Sequence, residues 1–187
     1  RKRRQNHERG SRTPVHEQAV AQPDWRTSMN DTRASGNVFE ANPIHHLNQH
    51  QWLSDLAGIY TLGPSPGTII RGNLIHDVES AVYGNWGIYL DGSSSLIRVE
   101  DNVVFRCDYG AFFSNVGRSN VIRRNILIND RSPDNPAMVI GNDHGLLTAT
   151  VSENLMISDA PQVLLHDEYQ GHVRFEANTY GNLMNRF

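Results

Sequence analysis

The heptapeptide IIRGNLI, residues 69–75, places an asparagine between two short runs of β-forming residues. The same arrangement recurs five more times along the chain, as VFEANPI, RVEDNVV, VIRRNIL, VSENLMI and RFEANTY. The asparagines are Asn42, Asn73, Asn102, Asn125, Asn154 and Asn178, at spacings of 31, 29, 23, 29 and 24 residues. Strand-rich repeats with a period of this size indicate a solenoid in which each repeat forms one coil.

The repeated asparagine predicts the same bend in every coil. Asparagine adopts positive φ more readily than most other non-glycine residues, so we expect it at tight turns between strands. Coils stacked at the ~4.8 Å spacing of neighbouring strands bring successive side-chain amides within hydrogen-bonding distance. The sequence therefore predicts a ladder of asparagine side chains along one edge of the solenoid.

A second set of strands follows the first four asparagines, at residues 58–62, 87–91, 110–114 and 138–142. Aligning their bulky positions gives one column on the outward face, made of Tyr60, Tyr89, Phe112 and Ile140. The two-residue strand period then gives an interior column, made of Ile59, Ile88, Ala111 and Val139. Three strands per coil with Asn and Gly bends predict an all-β fold, a right-handed parallel β-helix of about six coils over residues 37–187.

Residues 1–36 differ in composition from the rest of the chain. They hold eight Lys/Arg against four Asp/Glu and show no apolar period, which predicts a basic, disordered arm or linker. The remainder holds nine Lys/Arg against sixteen Asp/Glu, and such an acidic body argues against a nucleic-acid partner. No apolar run reaches 18 residues, which argues against a membrane span. Because the chain begins at Arg1, we expect a fragment of a longer protein.

Two residue counts exclude whole classes of chemistry. Lys2 is the only lysine, so the predicted β-helix can supply no Schiff-base lysine, lysine general base or P-loop lysine. Cys107 is the only cysteine, which excludes an intrachain disulfide and a thiolate metal cluster. The glycine-aspartate nonapeptides of calcium-binding β-rolls are also absent, and the sequence predicts neither a metal nor a cofactor.

Four strings in the first two coils resemble a known family. They are SDLAGIYTLG at 54–63, PGT at 66–68, NLIHD at 73–77 and WGIYLDGSS at 86–94. Together they resemble the bacterial right-handed β-helix proteins of the carbohydrate-active class, particularly the glycoside hydrolase family of α-L-fucosidases and xylanases. The resemblance implies a polysaccharide or oligosaccharide substrate and a secreted or periplasmic location. It also implies two catalytic aspartates, which by motif position are Asp55 and Asp91.

Loop lengths predict where a substrate groove lies. Between the bend asparagine and the following outward aromatic there are 17, 15 and 9 residues in the first three coils, so two long loops precede a short one. Loops of this kind form walls around a depression. We expect it to be bordered by His46, Trp52, Asp55, Tyr60, Trp86, Tyr89 and Asp91. In this groove Asp91 is expected to attack or stabilise the anomeric carbon, while Asp55 donates a proton from an enclosed loop that raises its pKa.

Other interpretations remain open at this stage. A catalytically inert or carbohydrate-binding β-helix is one, and a polysaccharide lyase or epimerase with an Arg or His base is another. His45 and His76 each lie three residues after their bend asparagine, so on adjacent coils their rings are expected to stack about 5 Å apart. Near Asp77 and His46, such a pair forms either a metal or proton-relay site or a partly covered wall. We expect a monomer.

Overall fold

A computed structural model describes residues 35–48, 54–79, 83–141, 147–166 and 172–183. These residues form 17 strands that wind into six stacked coils of a parallel β-helix. Within them, no helix is long and apolar enough to cross a membrane. The predicted arm, residues 1–36, lies almost wholly outside this part of the chain, as does Trp52.

Three parallel sheets run along the solenoid, and each coil adds one strand to each sheet in turn. Sheet one contains β1 (Val38–Glu40), β4 (Ile69–Arg71), β7 (Arg98–Glu100), β10 (Asn120–Arg123), β13 (Leu147–Ser152) and β16 (His172–Glu176). Sheet two contains β2 (Pro43–Asn48), β5 (Leu74–Glu79), β8 (Val103–Cys107), β11 (Ile126–Asn129), β14 (Leu155–Ser158) and β17 (Thr179–Asn182). Sheet three contains β3 (Ala57–Leu62), β6 (Trp86–Asp91), β9 (Gly110–Ser114), β12 (Met138–Ile140) and β15 (Leu164–His166).

The predicted asparagine ladder runs between sheets one and two through all six coils. Each side-chain amide donates to the Oδ1 atom of the asparagine in the next coil, at 2.9 Å. That same Oδ1 also accepts from the backbone N–H of the preceding asparagine. The second amide hydrogen reaches a backbone carbonyl, as from Asn102 to Ile70. Buried amides are thus fully paired, which links every coil to the next.

Positive φ was predicted at these asparagines, and that prediction was wrong by one residue. Positive φ belongs to the residue before each asparagine, and the six residues are Ala41, Gly72, Asp101, Arg124, Glu153 and Ala177. The asparagine itself needs its side chain inside the bend to reach the neighbouring coils. The left-handed turn is therefore made by the exposed preceding residue, whose side chain is free to vary.

The hydrophobic core fills the space between the three sheets, and its sheet-three column differs from the predicted one. Ile88 pairs with Phe112, which pairs in turn with Met138, and all three are fully buried. Phe112 therefore lies in the interior, and Phe113 is the residue that pairs with Tyr89 in the outward column. The predicted alignment equated two glycines that are not equivalent, because Gly110 pairs with Trp86.

Close packing explains why Gly110 is glycine. It has φ of +136°, and a Cβ atom there would lie 2.7 Å from the Trp86 ring. In the observed register, Ala111 lies beside Gly87 of the neighbouring coil, and Val139 pairs with Phe113.

Candidate functional site

The site forms on sheet three, where β3 and β6 end side by side. Tyr60 and Tyr89 are register partners, and so are Leu62 and Asp91. The Tyr60 hydroxyl donates a hydrogen bond to the Asp91 carboxylate across this strand pair. Of the residues predicted to border the groove, the structure thus brings Tyr60, Tyr89 and Asp91 together.

The Asp91 carboxylate is surrounded by hydrogen-bond donors. Besides Tyr60, it accepts from Nδ2 of Asn115 at 2.8 Å and from the backbone N–H of Gly92 at 2.7 Å. Partial burial alone raises the pKa of Asp91, but these hydrogen bonds outweigh it and the pKa is lowered. Asp91 is therefore ionised at neutral pH, with donors on both carboxylate oxygens.

Three tyrosines respond to the negative charge at this site. Burial is the largest cause of the raised pKa of Tyr60 and of Tyr89, and Asp91 adds to it through its charge and its hydrogen bond. Burial and the charges of Asp55 and Asp91 likewise raise the pKa of Tyr83. All three hydroxyls stay protonated at neutral pH, and the Tyr60 hydroxyl donates its proton to the hydrogen bond with Asp91.

Asp55 contributes charge to the same face, but it is not enclosed as expected. Its charge acts on Tyr60, Tyr83 and Tyr89, so the turn before β3 does bring it near Asp91. Asp55 itself is exposed and has φ of +53°. The turn packs against Gly84, where a Cβ atom would lie 2.7 Å from the Asp55 nitrogen. An exposed carboxyl differs from the enclosed position expected for the proton donor.

Sheet three does not present an open aromatic column. The side chain of Tyr60 is 38% exposed, but Tyr89 is only 2% and Trp86 only 4% exposed. Tyr60 meets Tyr89 edge-on, Tyr89 stacks on Phe113 with ring centroids 4.7 Å apart, and Phe113 also contacts Trp86. Tyr89 and Trp86 therefore support the surface from below, and Tyr60 is the most exposed aromatic ring of this column.

His46 lies on β2, and its ring contacts are with the other predicted histidines. The rings of His45 and His76 stack with centroids 5.1 Å apart, as predicted, and Phe105 extends the stack at 4.9 Å. Nδ1 of His46 lies 2.6 Å from Nδ1 of His45. These contacts place His46 on sheet two, whereas Tyr60 and Asp91 are on sheet three.

The histidine stack ends in an ion-pair network. Nδ1 of His76 lies 2.6 Å from Asp77, and Arg106 binds the same carboxylate through two nitrogens at 2.7 and 2.5 Å. Arg131 approaches Asp77 at 3.1 Å from two coils away. Arg106, followed by His76, holds the pKa of Asp77 well below its ordinary value. Among the described residues no group of three or more His, Cys, Asp or Glu side chains is arranged to hold a metal ion.

Four residues of the site were not identified from the sequence. They are Tyr83, Tyr109, Phe113 and Asn115. Phe113 and Asn115 were hidden by the one-residue alignment error in the third coil, whose correction places Asn115 next to Asp91. Tyr83 and Tyr109 lie in two loops, where their rings meet edge-on, and they carry no periodic signal.

Comparison with known families gives one match. The model of the right-handed beta helix region matches residues 26–179, most of the chain. The chain belongs to the right-handed beta-helix family. This membership agrees with the three parallel sheets and is compatible with a carbohydrate-active or polysaccharide-binding protein. No curated protein and no solved structure matches this beta-helix chain significantly.

Proposed function

We propose that this β-helix protein binds an oligosaccharide or polysaccharide on the outward face of β3, β6 and β9 and cleaves a glycosidic bond there. The observation that carries the proposal is the ionised Asp91 carboxylate beside the half-exposed Tyr60 ring. A charged carboxylate next to a flat amphipathic ring suits a sugar, because the ring covers a sugar face while the carboxylate meets the anomeric carbon.

Asp55 is the proposed second carboxyl group. Glycosidases place two carboxyls on either side of the scissile bond, about 5 Å apart for retention and roughly 6.5 to 9.5 Å for inversion. The charge of Asp55 acts on the same tyrosines as the charge of Asp91, which supports this pairing. In the proposed reaction Asp91 attacks or stabilises the anomeric carbon, and Asp55 protonates the leaving oxygen.

A second candidate, glycan binding without cleavage, is favoured by the hydrogen bonds that already occupy Asp91. A carboxylate offers about four acceptor positions. Asp91 accepts from Tyr60, Asn115 and Gly92, which fill most of these positions. Attack on an anomeric carbon would compete with these donors. A sugar could instead contact this rim through its hydroxyl groups while the network stays intact.

Hydrolysis is tested with wild type and three variants on aryl glycosides and on xylan and fucosylated oligosaccharides. Asp91→Asn should lower turnover by roughly 10²- to 10⁴-fold, and Asp55→Asn should also lower it. Azide should restore turnover to Asp91→Asn if this residue is the nucleophile. Glu153→Gln is the matched control, because Glu153 is an exposed carboxylate at a bend between sheets one and two, and it should keep full activity.

Binding to the same oligosaccharides separates the two candidates. Tyr60→Ala should weaken binding, whereas Tyr180→Ala, at an exposed tyrosine of the sixth coil, should not. Binding without turnover supports the second candidate, and an unsaturated product would indicate a lyase. An Asp91→Asn enzyme as active as wild type would remove Asp91 from the mechanism. Equal binding by wild type and Tyr60→Ala would contradict both candidates.

A further inference from the structure

The outward face of sheet two is apolar, whereas the outward face of sheet one carries ion pairs such as that of Arg123 with Glu100. The strands β8, β11 and β14 begin with the apolar runs VVF, ILI and LMI. In each run the middle residue is fully buried, and its two neighbours point outward. A parallel strand that is apolar on both faces is normally covered on both faces. Sheet two therefore has the composition of a sheet that a further layer covers.

Register aligns the outward side chains of sheet two into two columns, which we call the sheet-two face. In β5, β8, β11 and β14 they are Leu74, His76, Val103, Phe105, Ile126, Ile128, Leu155 and Ile157. None of these side chains is fully buried, and Leu74 is 42% and Ile126 37% exposed. Strands about 4.8 Å apart, with outward residues roughly every 6.8 Å, give each position about 33 Å². With two outward positions in each of six strands, the face spans about 400 Å².

We propose that the sheet-two face binds a second copy of this chain, with a twofold axis that runs parallel to the strands between β8 and β11. The third coil then lies against the fourth coil of the second copy, and the second coil lies against the fifth. Because the axis is at the middle of the six coils, every coil takes part. With the bends along both edges, the contact buries about 600 Å² per copy, the lower limit for a specific dimer. The sequence led us to expect a monomer, and the proposal leaves the glycan face on sheet three free.

Charges at both edges of the sheet-two face match this axis. On the edge next to sheet one, Asp101 of the third coil and Arg124 of the fourth coil are bonded at 2.7 Å, with 46% and 39% of their side chains exposed. On the other edge, the N–H of Arg106 in the third coil donates to Asp130 of the fourth coil at 2.9 Å, and the charge of Asp130 acts on the Arg106 guanidinium. The axis brings Asp101 opposite Arg124 of the second copy, and Arg106 opposite Asp130 of the second copy. Each edge is therefore complementary to itself.

The same charges distinguish this axis from the next one along the solenoid. An axis between β11 and β14 would place Asp130 opposite Asp159 of the second copy, since Asp159 follows β14 as Asp130 follows β11. Like charges at an interface oppose binding. That axis would also leave the first two coils without a partner.

The centre of the proposed contact is apolar. Val103 of one copy faces Ile126 of the other, and Phe105 faces Ile128. The guanidinium of Arg106 lies over the Phe105 ring, 4.7 Å from its centroid, so a charged residue borders the apolar centre. An apolar centre with a charged border is the usual arrangement of a protein–protein interface.

Sedimentation equilibrium of the full chain between about 1 and 200 µM tests the proposal. We expect a monomer at the lower end and a dimer at the upper end, because a contact of this size gives weak, reversible association. Ile126→Glu should raise the Kd at least about tenfold, since it buries a carboxylate beside the axis. Val121→Glu is the matched control, because Val121 lies in the same coil on the outward face of sheet one, and this variant should dimerise as wild type does.

The charged edge gives a second test that leaves the apolar columns unchanged. Arg124→Asp should raise the Kd at least about tenfold, because Asp101 then meets aspartates from both copies. Asp101→Arg/Arg124→Asp restores opposite charges, and its Kd should return to within about threefold of the wild-type value. If the two charges act only within one copy, these variants will change urea unfolding of the monomer without changing the Kd, which would contradict the proposal.

Maleimide labelling of Ile126→Cys shows whether another part of the chain covers the face. Its thiol should react rapidly in the dilute monomer and at least about tenfold more slowly in the dimer. Cys107 does not compete, since it is fully buried and burial raises the pKa of its thiol. Slow labelling of the monomer would assign the face to another segment of the same chain and overturn the proposal. A chain that stays monomeric up to about 200 µM would overturn it too, as would a dimer whose Kd neither Ile126→Glu nor Arg124→Asp changes.

Discussion

At the scale of single residues, the asparagine ladder concentrates stability in a few amides. Asn102 is fully buried, accepts two hydrogen bonds from Asn73 and donates to Asn125 and Ile70. Asn102→Ala removes these partners and leaves buried donors unpaired, each at a cost of about 1–3 kcal/mol. We expect the free energy of unfolding to fall by about 3–5 kcal/mol in urea titrations.

Asn42→Ala is the control for this prediction. Asn42 is at the exposed end of the ladder, and its side chain donates one hydrogen bond, to Asn73. Its backbone N–H also bonds Oδ1 of Asn73 and is kept in the variant. The expected loss is about 1 kcal/mol. Equal losses at Asn42 and Asn102 would show that the ladder does not stabilise the coils through buried pairing.

Asp77 gives the protein a specific response to acid. Its pKa is lowered in the folded state by Arg106 and His76, so its stabilising effect is present above the unfolded pKa of about 4 and is lost as pH falls through the folded value. Stability should therefore decline on acidification below about pH 4. In Asp77→Asn this part of the decline should be missing.

Urea unfolding at pH 2.5, 4 and 7 measures this response. Asp134→Asn, at an exposed loop position after β11, is the control and should keep the wild-type decline. An Asp77→Asn protein that loses as much stability as wild type over this range would show that the ion-pair network does not contribute.

At the scale of elements, the register of β9 on β6 decides which phenylalanine supports the core. Phe112 is fully buried between Ile88 and Met138, whereas Phe113 packs on the outer face against Tyr89. Phe112→Ala should cost about 3–5 kcal/mol of unfolding free energy through the cavity it leaves. Phe113→Ala should cost clearly less. Thermal or urea unfolding of the pair measures this, and the reverse order would restore the alignment of Phe112 with Tyr89.

The sequence predicted the elements better than their register. The Asn73 motif appears in every coil because each coil must pair the same buried amide. This requirement places an asparagine at the same point of every repeat, where the sequence shows it. β9 was misaligned because Gly110 is required by the Trp86 ring of the neighbouring coil. That contact connects residues 24 positions apart in neighbouring coils, so it produces no pattern within the sequence of one repeat. Loop residues such as Tyr83 join the site through similar contacts, which no periodic pattern contains.

At the scale of the whole molecule, the three sheets carry different chemistry. The outer face of sheet one bears ion pairs between successive coils, such as Glu40 with Arg71 and Glu100 with Arg123. Sheet two bears the histidine stack and the Asp77 network. Sheet three combines an exposed aromatic ring with an ionised carboxylate, at Tyr60 and Asp91. Sheet three is the face proposed for a glycan, because the charges named here on the other two faces are paired with each other.

Hydrogen exchange of the full chain, with and without a saturating xylan or fucosylated oligosaccharide, tests this assignment most directly. The account predicts slower exchange at residues 60–62, 89–92 and 113–115 with a bound glycan, and unchanged exchange in β7 and β10 of sheet one. Exchange that slows only on sheets one and two, or that stays unchanged on sheet three with every oligosaccharide, would contradict it.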